Sequence, residues 1–311
     1  MFGYRTELGE ALCGDSIELI ETLENNSVDL VVTSPPFALL RQKEYGNENQ
    51  EKYVDWLCEF AIRLLPKLKD TGSLVIDLGA AYTKGEPTYS LYQFRFLIKM
   101  VDEVGYHLAQ PFYWHNTSAL PAPIEWVNKK KWRAKNSVNT VWWFSKTPRP
   151  KADIRKVLTP YSDRMKKLLE KPEGFFTDGA VRPSGHTMGS SWTNDNGGAI
   201  PPNMLMFSNA ESNSQYLRYC KINKLKAHPA RFPKDLPEFF IKLCTDENDL
   251  VVDIFGGSNT TGKCCEDMGR RWKAFELSKE YLAASSFRFI DNVENSMDVY
   301  NRIINEETVT L

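Results

Sequence analysis

The stretch LVVDIFGGSNTTGKCCEDMGRRWKAFELS, residues 250–278, constrains the fold of this chain more than any other segment. It begins with an apolar run and breaks into a turn of glycine, serine and threonine at 256–262. A helical segment and a second apolar run follow. A strand, a tight turn, a helix and a strand form half of a nucleotide-binding type of βαβ unit, whose two strands are parallel. The segment therefore predicts a parallel sheet with crossover helices.

The rest of the chain repeats this alternation of strands and helices. Short runs rich in Val, Ile and Leu are typical of buried strands, and apolar residues at helical spacing indicate helices. Such an order predicts the α/β class, with a doubly wound, mostly parallel sheet. The predicted strands are 28–32, 73–78, 107–113, 140–144, 250–255 and 272–277; the predicted helices are 17–23, 53–68, 91–104, 237–243, 263–268 and 280–290; and 70–72 is a predicted turn.

The region from about 147 to 227 differs in texture from its flanks. It is rich in Pro, Gly, Asn and Ser and lacks clear periodicity, as in VRPSGHTMGSSWTNDNGGAIPPNM. A loop of this length is uncommon in a compact domain unless it is functional or an inserted module. We therefore predict a core half at 1–146, an irregular recognition insert at 147–227, and a second core half at 228–311.

Composition excludes several classes of protein. The chain has 311 residues, of which 42% are hydrophobic, which is enough for a sizeable core. No apolar run reaches the roughly 20 residues of a membrane span, and the N-terminus lacks a signal-peptide pattern. The six cysteines form no C-x-x-C pair, so we expect no metal site and a reducing, cytoplasmic compartment.

Positive charge is concentrated although the formal net charge is only −1. The segment NKKKWRAK, residues 128–135, carries five positive charges and no acid. A local basic stripe can bind phosphates while the average charge stays neutral. A solvated basic loop would have the same composition, so the segment alone leaves both possibilities open.

The glycine-containing turn indicates a cofactor other than a dinucleotide. It does not match G-x-G-x-x-G, and an acid at Asp253 just before it would repel a pyrophosphate. An acid there better suits a cofactor that carries an amino group and a positive charge, such as S-adenosylmethionine. Glu276 ends the following strand, about 20 residues on, where an acid commonly binds ribose hydroxyls.

A second unusual turn lies near the N-terminus, in DLVVTSPPFALL, residues 29–40. An apolar strand stops at Thr33-Ser34-Pro35-Pro36-Phe37. Proline fixes φ and removes the backbone N–H, so carbonyl groups dominate this turn. The strand SLVID ends in Asp77, and if it lies beside the first strand, Asp77 and Ser34 meet at one sheet edge.

Together these motifs resemble a known family, the amino-methylating DNA methyltransferases. TSPPF is similar to their (S/D/N)-P-P-(Y/F/W) motif, DIFGGSNTTG to their D-x-F-x-G-S-G-T-T cofactor motif, and HPARFP, residues 228–233, to the segment before it. The order of the motifs is the permuted arrangement called the β class. The resemblance is strongest with the PvuII-type cytosine-N4 DNA methyltransferases, through LPAPIEWVNKKK, VNTVWWFSK and RPSGH.

The resemblance implies a Rossmann-like methyltransferase core in permuted order and a set of roles. The reaction would transfer a methyl group from S-adenosylmethionine to N4 of a cytosine flipped out of double-stranded DNA, without a metal. The catalytic candidates are Ser34, Pro35, Pro36, Phe37 and Asp77. The cofactor-binding candidates are Asp15, Phe232, Asp253, Phe255, Gly256, Gly257, Ser258, Asn259, Thr260 and Glu276. The DNA-binding candidates are Lys129, Lys130, Lys131, Arg133, Arg182 and His186.

Several alternatives stay open at this point. Adenine-N6 methylation would use the same scaffold, although serine at position 34 favours cytosine N4. A nicotinamide-dependent dehydrogenase would need the glycine spacing G-x-G-x-x-G, which this chain lacks. A DNA-binding protein without catalysis would not need both Glu276 and the Ser-Pro-Pro turn. The resemblance also implies a prokaryotic restriction-modification system with a cognate endonuclease, a monomer or dimer, and a palindromic site such as CAGCTG.

Overall fold

The computed structural model of the chain describes residues 1–37, 52–83, 85–171, 194–210 and 214–311. Two compact units are present, one formed by Met1–Ala152 with Asn203–Leu311 and the other by Asp153–Pro202. None of the helices within the described ranges is long and apolar enough to cross a membrane.

Strands and helices alternate along most of the chain. The strands are β1 Gly3–Arg5, β2 Gly9–Cys13, β3 Val28–Thr33, β4 Leu68–Leu78, β5 His107–Asn116, β6 Val138–Ser145, β7 Met204–Phe207, β8 Leu250–Asp253, β9 Arg271–Glu276 and β10 Thr308–Thr310. The helices are α1 Ser16–Glu21, α2 Tyr53–Leu64, α3 Tyr92–Lys99, α4 Asp163–Glu170, α5 Gln215–Ile222, α6 Asp235–Cys244, α7 Thr260–Asp267, α8 Lys279–Ser285 and α9 Ser296–Ile304.

The strands of the described residues form one sheet, in the order β10-β1-β2-β9-β8-β3-β4-β6-β5-β7. Its centre, from β2 through β9, β8 and β3 to β4, is parallel throughout. Strand β6 pairs antiparallel with both β4 and β5. The predicted mostly parallel α/β sheet is confirmed, and its parallel strands bring their carboxyl ends to one edge.

Burial explains why β3 lies in the middle of the sheet. All six of its residues are buried, in the sequence VDLVVT. The only acid among them, Asp29, lies 2.8 Å from Lys69 Nζ and accepts a hydrogen bond from the Leu250 backbone N–H. Buried charges are tolerated when they are paired in this way. Helix α2 packs its apolar stripe on the same core.

Some local predictions differ from the structure. Helix α2 ends at Leu64 rather than Leu68, because Pro66 has no backbone N–H to continue the helical hydrogen bonds. The predicted turn at 70–72 lies inside β4, where the pairing with β3 shifts register, and Gly72 allows the backbones to approach. Strands β1 and β2 were not predicted, since both are short and depend on pairing with distant strands.

The second compact unit is shorter than the predicted insert at 147–227. The second unit covers Asp153–Pro202, whereas β7 and α5 belong to the sheet-containing unit. Strand β7 pairs parallel with β5, which secures it to the sheet. Within the second unit, Thr159 and Ala199 form a backbone bridge, and Tyr161 Oη accepts from the Asn196 N–H.

Candidate active site

A cavity of about 630 Å³ opens at the carboxyl ends of the central parallel strands. Ser34 follows β3, Asp77 lies near the end of β4, Phe255 follows β8 and Glu276 ends β9, and all four line the cavity. Ligands of open α/β sheets bind at this edge. The two turns singled out in the sequence, more than 200 residues apart, therefore share one site.

The catalytic candidates cluster at the carboxyl ends of β3 and β4. The parallel register pairs Thr33 with Ile76, which sets Ser34 beside Asp77. Ser34 Oγ donates to Asp77 Oδ2 at 3.1 Å. Because the hydroxyl hydrogen is used in this bond, the oxygen keeps its lone pairs for a donor in the cavity. Pro35 is buried and Pro36 lines the wall, so the turn is held on both sides.

A residue that the sequence did not suggest completes this cluster. Asn139 on β6 donates through Nδ2 to Asp77 Oδ1 at 3.0 Å and Oδ2 at 3.3 Å. Asp77 pairs antiparallel with Val141, so the side-chain amide of Asn139, two residues earlier on β6, lies next to the Asp77 carboxylate. The available signal was an amide in the otherwise apolar strand VNTVWWFS, but only the pairing of β4 with β6 gives it a partner.

The environment of Asp77 changes its acidity. Burial raises the pKa of this carboxyl from 3.8 to about 7, and the hydrogen bonds from Asn139 and Ser34 oppose the rise. Desolvation disfavours the charged form, whereas donors favour it. Asp77 can therefore gain or lose a proton near neutral pH, as a general base must.

Phe37 presents an aromatic ring to the same cavity. Its position requires glycine at position 79, because a Cβ there would lie 2.3 Å from Phe37 Cε2. An aromatic face at this point can stack on a planar ring that enters the cavity.

The glycine-containing turn at 256–262, which we call the cofactor turn, is fixed by Glu276, the acid that ends β9. Glu276 accepts from the Gly257 N–H at 2.8 Å and from the Ser278 N–H at 2.9 Å. Gly257 has φ +52°, a conformation that favours glycine. Burial raises the pKa of Glu276, and the charge of Asp253 raises it further. The carboxylate is thus held at the cavity wall between two backbone N–H groups.

Arg288 also stabilises this turn, through hydrogen bonds to Ser258 and Thr260. Its Nε donates to the Ser258 carbonyl at 2.6 Å, and one terminal nitrogen, Nη2, donates to Ser258 Oγ and Thr260 Oγ1, both at 3.1 Å. The guanidinium is buried and also lies 5.0 Å from the Tyr216 ring. A planar fork of donors suits such a multiple contact. No sequence motif indicated this role.

Two of the cofactor candidates lie behind the turn rather than on the cavity wall. Asp253, only 2% exposed, accepts from Thr33 Oγ1, Thr261 Oγ1 and the Phe255 N–H. Because Asp253 is buried and does not line the cavity, the expectation that it faces the cofactor charge is corrected. Instead it links the strand before Ser34 to the cofactor turn.

Asn259 also has a structural place. It caps α7 with φ +52°, accepts from the Gly262 N–H at 2.9 Å and donates to Tyr4 Oη at 2.8 Å. Both the oxygen and the nitrogen of its amide are therefore bonded within the protein. The remaining cofactor candidates all line the cavity: Asp15, Phe232, Phe255, Gly256, Gly257, Ser258, Thr260 and Glu276.

Further wall residues were not predicted. Trp56 and Phe60 from α2 line the cavity beside Phe255, with ring centroids 5.7 and 5.0 Å from it. His228 lies against Gly257, and burial lowers the pKa of its ring to about 4, so the ring is neutral at pH 7. Asp15, which is one of the predicted cofactor candidates, also caps α1 by accepting from the Ile17 N–H.

The basic candidates lie in the loop between β5 and β6, residues 117–137, which we call the rim loop. Lys129 pairs with Glu125 at 3.0 Å, Lys130 lies 5.7 Å from the Trp132 ring, and Arg133 donates to the Pro87 carbonyl. Both ends of the rim loop line the cavity, through Ala119 and Asn136. Arg182 and His186 lie outside the described residues.

Comparison with known proteins identifies the family. A family model described as DNA methylase matches residues 28–287. The chain belongs to this DNA methylase family. The match includes both turns and the strands that carry them, so the cavity of this methylase, apart from Asp15 and Ser16, is lined by the part of the chain that the family shares.

Individual relatives agree with that membership. The methylase is 59% identical over 311 residues to the type II methyltransferase M.PvuII of Proteus hauseri, covering 99% of this chain and 92% of the relative. The solved structure of PvuII DNA methyltransferase, described as cytosine-N4-specific, matches with a TM-score of 0.81 and 52% identity over 99% of this chain and 96% of that one. The M1.HpyAVI–SAM complex shares the fold, with a TM-score of 0.51 and 18% identity over 91% and 100%.

Proposed function

We propose that this methylase transfers a methyl group from S-adenosylmethionine to the exocyclic N4 of a cytosine flipped out of double-stranded DNA. One observation carries the proposal: the Ser34–Asp77 hydrogen bond lies in the same cavity as the Glu276 turn. An amine acceptor and a cofactor site therefore open onto one space. S-adenosylmethionine, when bound, supplies an electrophilic methyl group on sulfur.

The chemistry of the wall fits this cofactor. Glu276 offers carboxylate oxygens to ribose hydroxyls, and Phe255 and Phe232 offer apolar faces to the adenine. The backbone of Gly256, Gly257 and Ser258 gives close approach without side-chain bulk. Asp15 is placed to accept from an amine. Arg288 and Asp253 hold the turn in position.

The catalytic cluster is suited to a poor nucleophile. The lone pair of a cytosine amine is delocalised into the ring, so acceptors must draw its hydrogens and bring the nitrogen toward tetrahedral geometry. Ser34 Oγ and the Pro35 carbonyl are the acceptors that we assign. As the nitrogen–carbon bond forms and the carbon–sulfur bond breaks, one amine proton passes through Ser34 Oγ to Asp77. Asn139 acts as a positioning residue that orients the carboxylate.

Cytosine N4 is favoured over adenine N6 as the target. The relative with 59% identity and the solved structure with 52% identity are both PvuII methyltransferases, and the latter is described as cytosine-N4-specific. Ser34, rather than aspartate, opens the Pro-Pro turn. Reaching N4 requires extrusion of the base, and stacking on Phe37 offsets part of the cost of a few kcal/mol.

The rate of methyl transfer is expected to fall about tenfold per pH unit below about 7. The reason is that protonation of Asp77, whose pKa is about 7, removes the acceptor for Ser34 Oγ. Single-turnover rates between pH 5.5 and 8.5 measure this.

The free energy of unfolding should change with pH in the opposite direction. The stabilising contribution of the raised pKa of Asp77 is fully present below pH 3.8 and is lost as the pH rises through about 7.

An Asp77→Asn variant separates the two effects. Its residual rate should lose the acidic limb near pH 7, and its advantage in free energy of unfolding over wild type should be larger at pH 8 than at pH 6. A wild-type rate that is flat from pH 5.5 to 8.5 would refute the proton-accepting role.

Basic residues of the rim loop are proposed to contact DNA phosphates. Replacing Lys130 and Lys131 by alanine should lower the slope of log Kd against log salt by about 1.8, because each phosphate contact contributes about 0.9. Fluorescence anisotropy of a labelled duplex at several salt concentrations gives the slope. The matched control replaces Lys221 and Lys224, both exposed and absent from the cavity wall. An unchanged slope in the Lys130/Lys131 variant would contradict the contact.

The remaining assignments follow from the same proposal. The region around Asp153–Pro202 is the proposed recognition insert, and Arg182 and His186 within it are proposed to contact base edges. We also propose a prokaryotic cytoplasmic location and a cognate restriction endonuclease that shares the site. The palindrome CAGCTG is the first sequence to test, given the resemblance to PvuII-type enzymes.

Mapping of modified positions tests site specificity. A plasmid is incubated with the purified protein and S-adenosylmethionine, and modified sites are located by single-molecule sequencing. We expect methylation confined to one short sequence. Methylation scattered over unrelated sequences, or dependent on neither DNA sequence nor cofactor, would overturn the proposal.

A further inference from the structure

The rim loop is an ordered segment at the mouth of the cavity. Lys135 Nζ donates to the Ala119 carbonyl at 2.9 Å, and the Asn136 N–H donates to the Ala122 carbonyl at 3.0 Å. Asn128 Nδ2 reaches the Pro121 carbonyl at 3.3 Å. These bonds cross the loop, so its two arms support each other. Residues 119–122 are therefore held in place beside the cavity.

Large apolar side chains of this loop are exposed. Leu120 is 80% exposed, Ile124 62% and Trp132 57%. Single exposed apolar residues need no explanation, but a group of them on one loop marks a contact surface. Leu120 directly follows Ala119, which lines the cavity, and Pro121 and Pro123 follow it. Of the three exposed apolar residues, Leu120 is the one adjacent in sequence to a residue of the cavity wall.

The charge of the loop indicates the partner. Residues 128–135 carry five positive charges and no acid, and Lys129 alone of them pairs, with Glu125, among the ion pairs of the described residues. An exposed apolar residue on a loop rich in cations matches duplex DNA, which has a phosphate backbone outside and stacked bases inside. An apolar protein surface would not require this charge.

We infer that Leu120 is a wedge that enters the base stack when the target cytosine leaves it. This inference rests on the proposed function. DNA-bending and base-extruding proteins insert apolar side chains between base steps. The extruded cytosine would enter the cavity past Ala119 while Leu120 takes up the vacated space. Trp132 is less suited to this role because it stacks on Trp126, at 5.9 Å and 14°.

The test compares two duplexes that carry the mapped recognition site. In one the target cytosine is paired with guanine, and in the other it lies opposite an abasic position, where extrusion costs less. Leu120→Ala should lower the single-turnover methylation rate on the paired duplex about tenfold or more and stay within about twofold of wild type on the abasic duplex. Leu120→Met, which keeps an apolar side chain of similar length, should retain the wild-type rate on both.

Controls separate the wedge from other failures. Ile98→Ala removes a 58% exposed apolar side chain from α3 and should change neither rate. S-adenosylmethionine affinity within about twofold of wild type shows that the variant is folded, and Leu120→Ser repeats the test if the alanine variant is unstable. Equal loss on both duplexes, or loss on neither, overturns the wedge. Absence of any methylation by the wild type would instead refute the proposed function.

Discussion

Replacing Ser34 by alanine is expected to lower turnover about 1,000-fold while the Kd for S-adenosylmethionine changes less than about twofold. The hydroxyl donates to Asp77 at 3.1 Å, and in the proposed mechanism it also accepts from the target amine. Its removal therefore interrupts orientation and proton transfer together. The side chain lies in the catalytic turn, and the turn that we assign to the cofactor is held by Glu276 and Arg288. Single-turnover kinetics and equilibrium binding separate the two quantities.

Ser27→Ala provides the matched control. That hydroxyl donates to the Glu24 carbonyl in an exposed turn and has no contact with the cavity wall. Its turnover should equal that of wild type. A Ser34→Ala enzyme with wild-type turnover would remove Ser34 from the mechanism, and equal losses in turnover and cofactor affinity would show that the turn had collapsed.

Replacing Glu276 by alanine is expected to weaken S-adenosylmethionine binding about 100-fold, since hydrogen bonds to charged groups contribute about 1.5–3 kcal/mol each. The carboxylate already accepts from Gly257 and Ser278, so its removal also frees the cofactor turn. Isothermal titration calorimetry gives the affinity. At saturating cofactor, turnover should recover to a large fraction of wild type.

Glu276→Gln distinguishes binding from architecture. Glutamine keeps one carbonyl oxygen for the Gly257 N–H and loses the second acceptor, so its affinity should fall about tenfold. Glu24→Ala, at an exposed glutamate outside the cavity, should leave affinity unchanged. Wild-type affinity in Glu276→Ala would refute the ribose-binding role.

Local sequence was sufficient for the parts of the site that follow strand ends. The turn at Ser34-Pro35-Pro36-Phe37 and the acid at Glu276 are marked by short motifs, and parallel strands must bring such positions to one edge. That argument predicted the meeting of Ser34 with Asp77, which the register of β3 and β4 confirms. The α/β class followed from the same alternation of strands and helices.

Contacts made across the sheet could not be found in this way. Asn139 reaches Asp77 only because β6 runs antiparallel to β4, and Arg288 reaches Ser258 from a segment 30 residues further along the chain. Asp253 was assigned to the cofactor from its position before the turn, but burial beneath Thr33 and Thr261 satisfies both of its oxygens. Sequence gives the residue type at a strand end, whereas packing decides which way it faces.

The central claim is that the amine held by Ser34 and Asp77 belongs to cytosine. Mass spectrometry of nucleosides from plasmid DNA tests this most directly, after treatment with the wild-type enzyme and with Ser34→Ala in parallel. We predict N4-methylcytosine in the wild-type sample and about 1,000-fold slower accumulation with the variant. N6-methyladenine or 5-methylcytosine as the product would contradict the account.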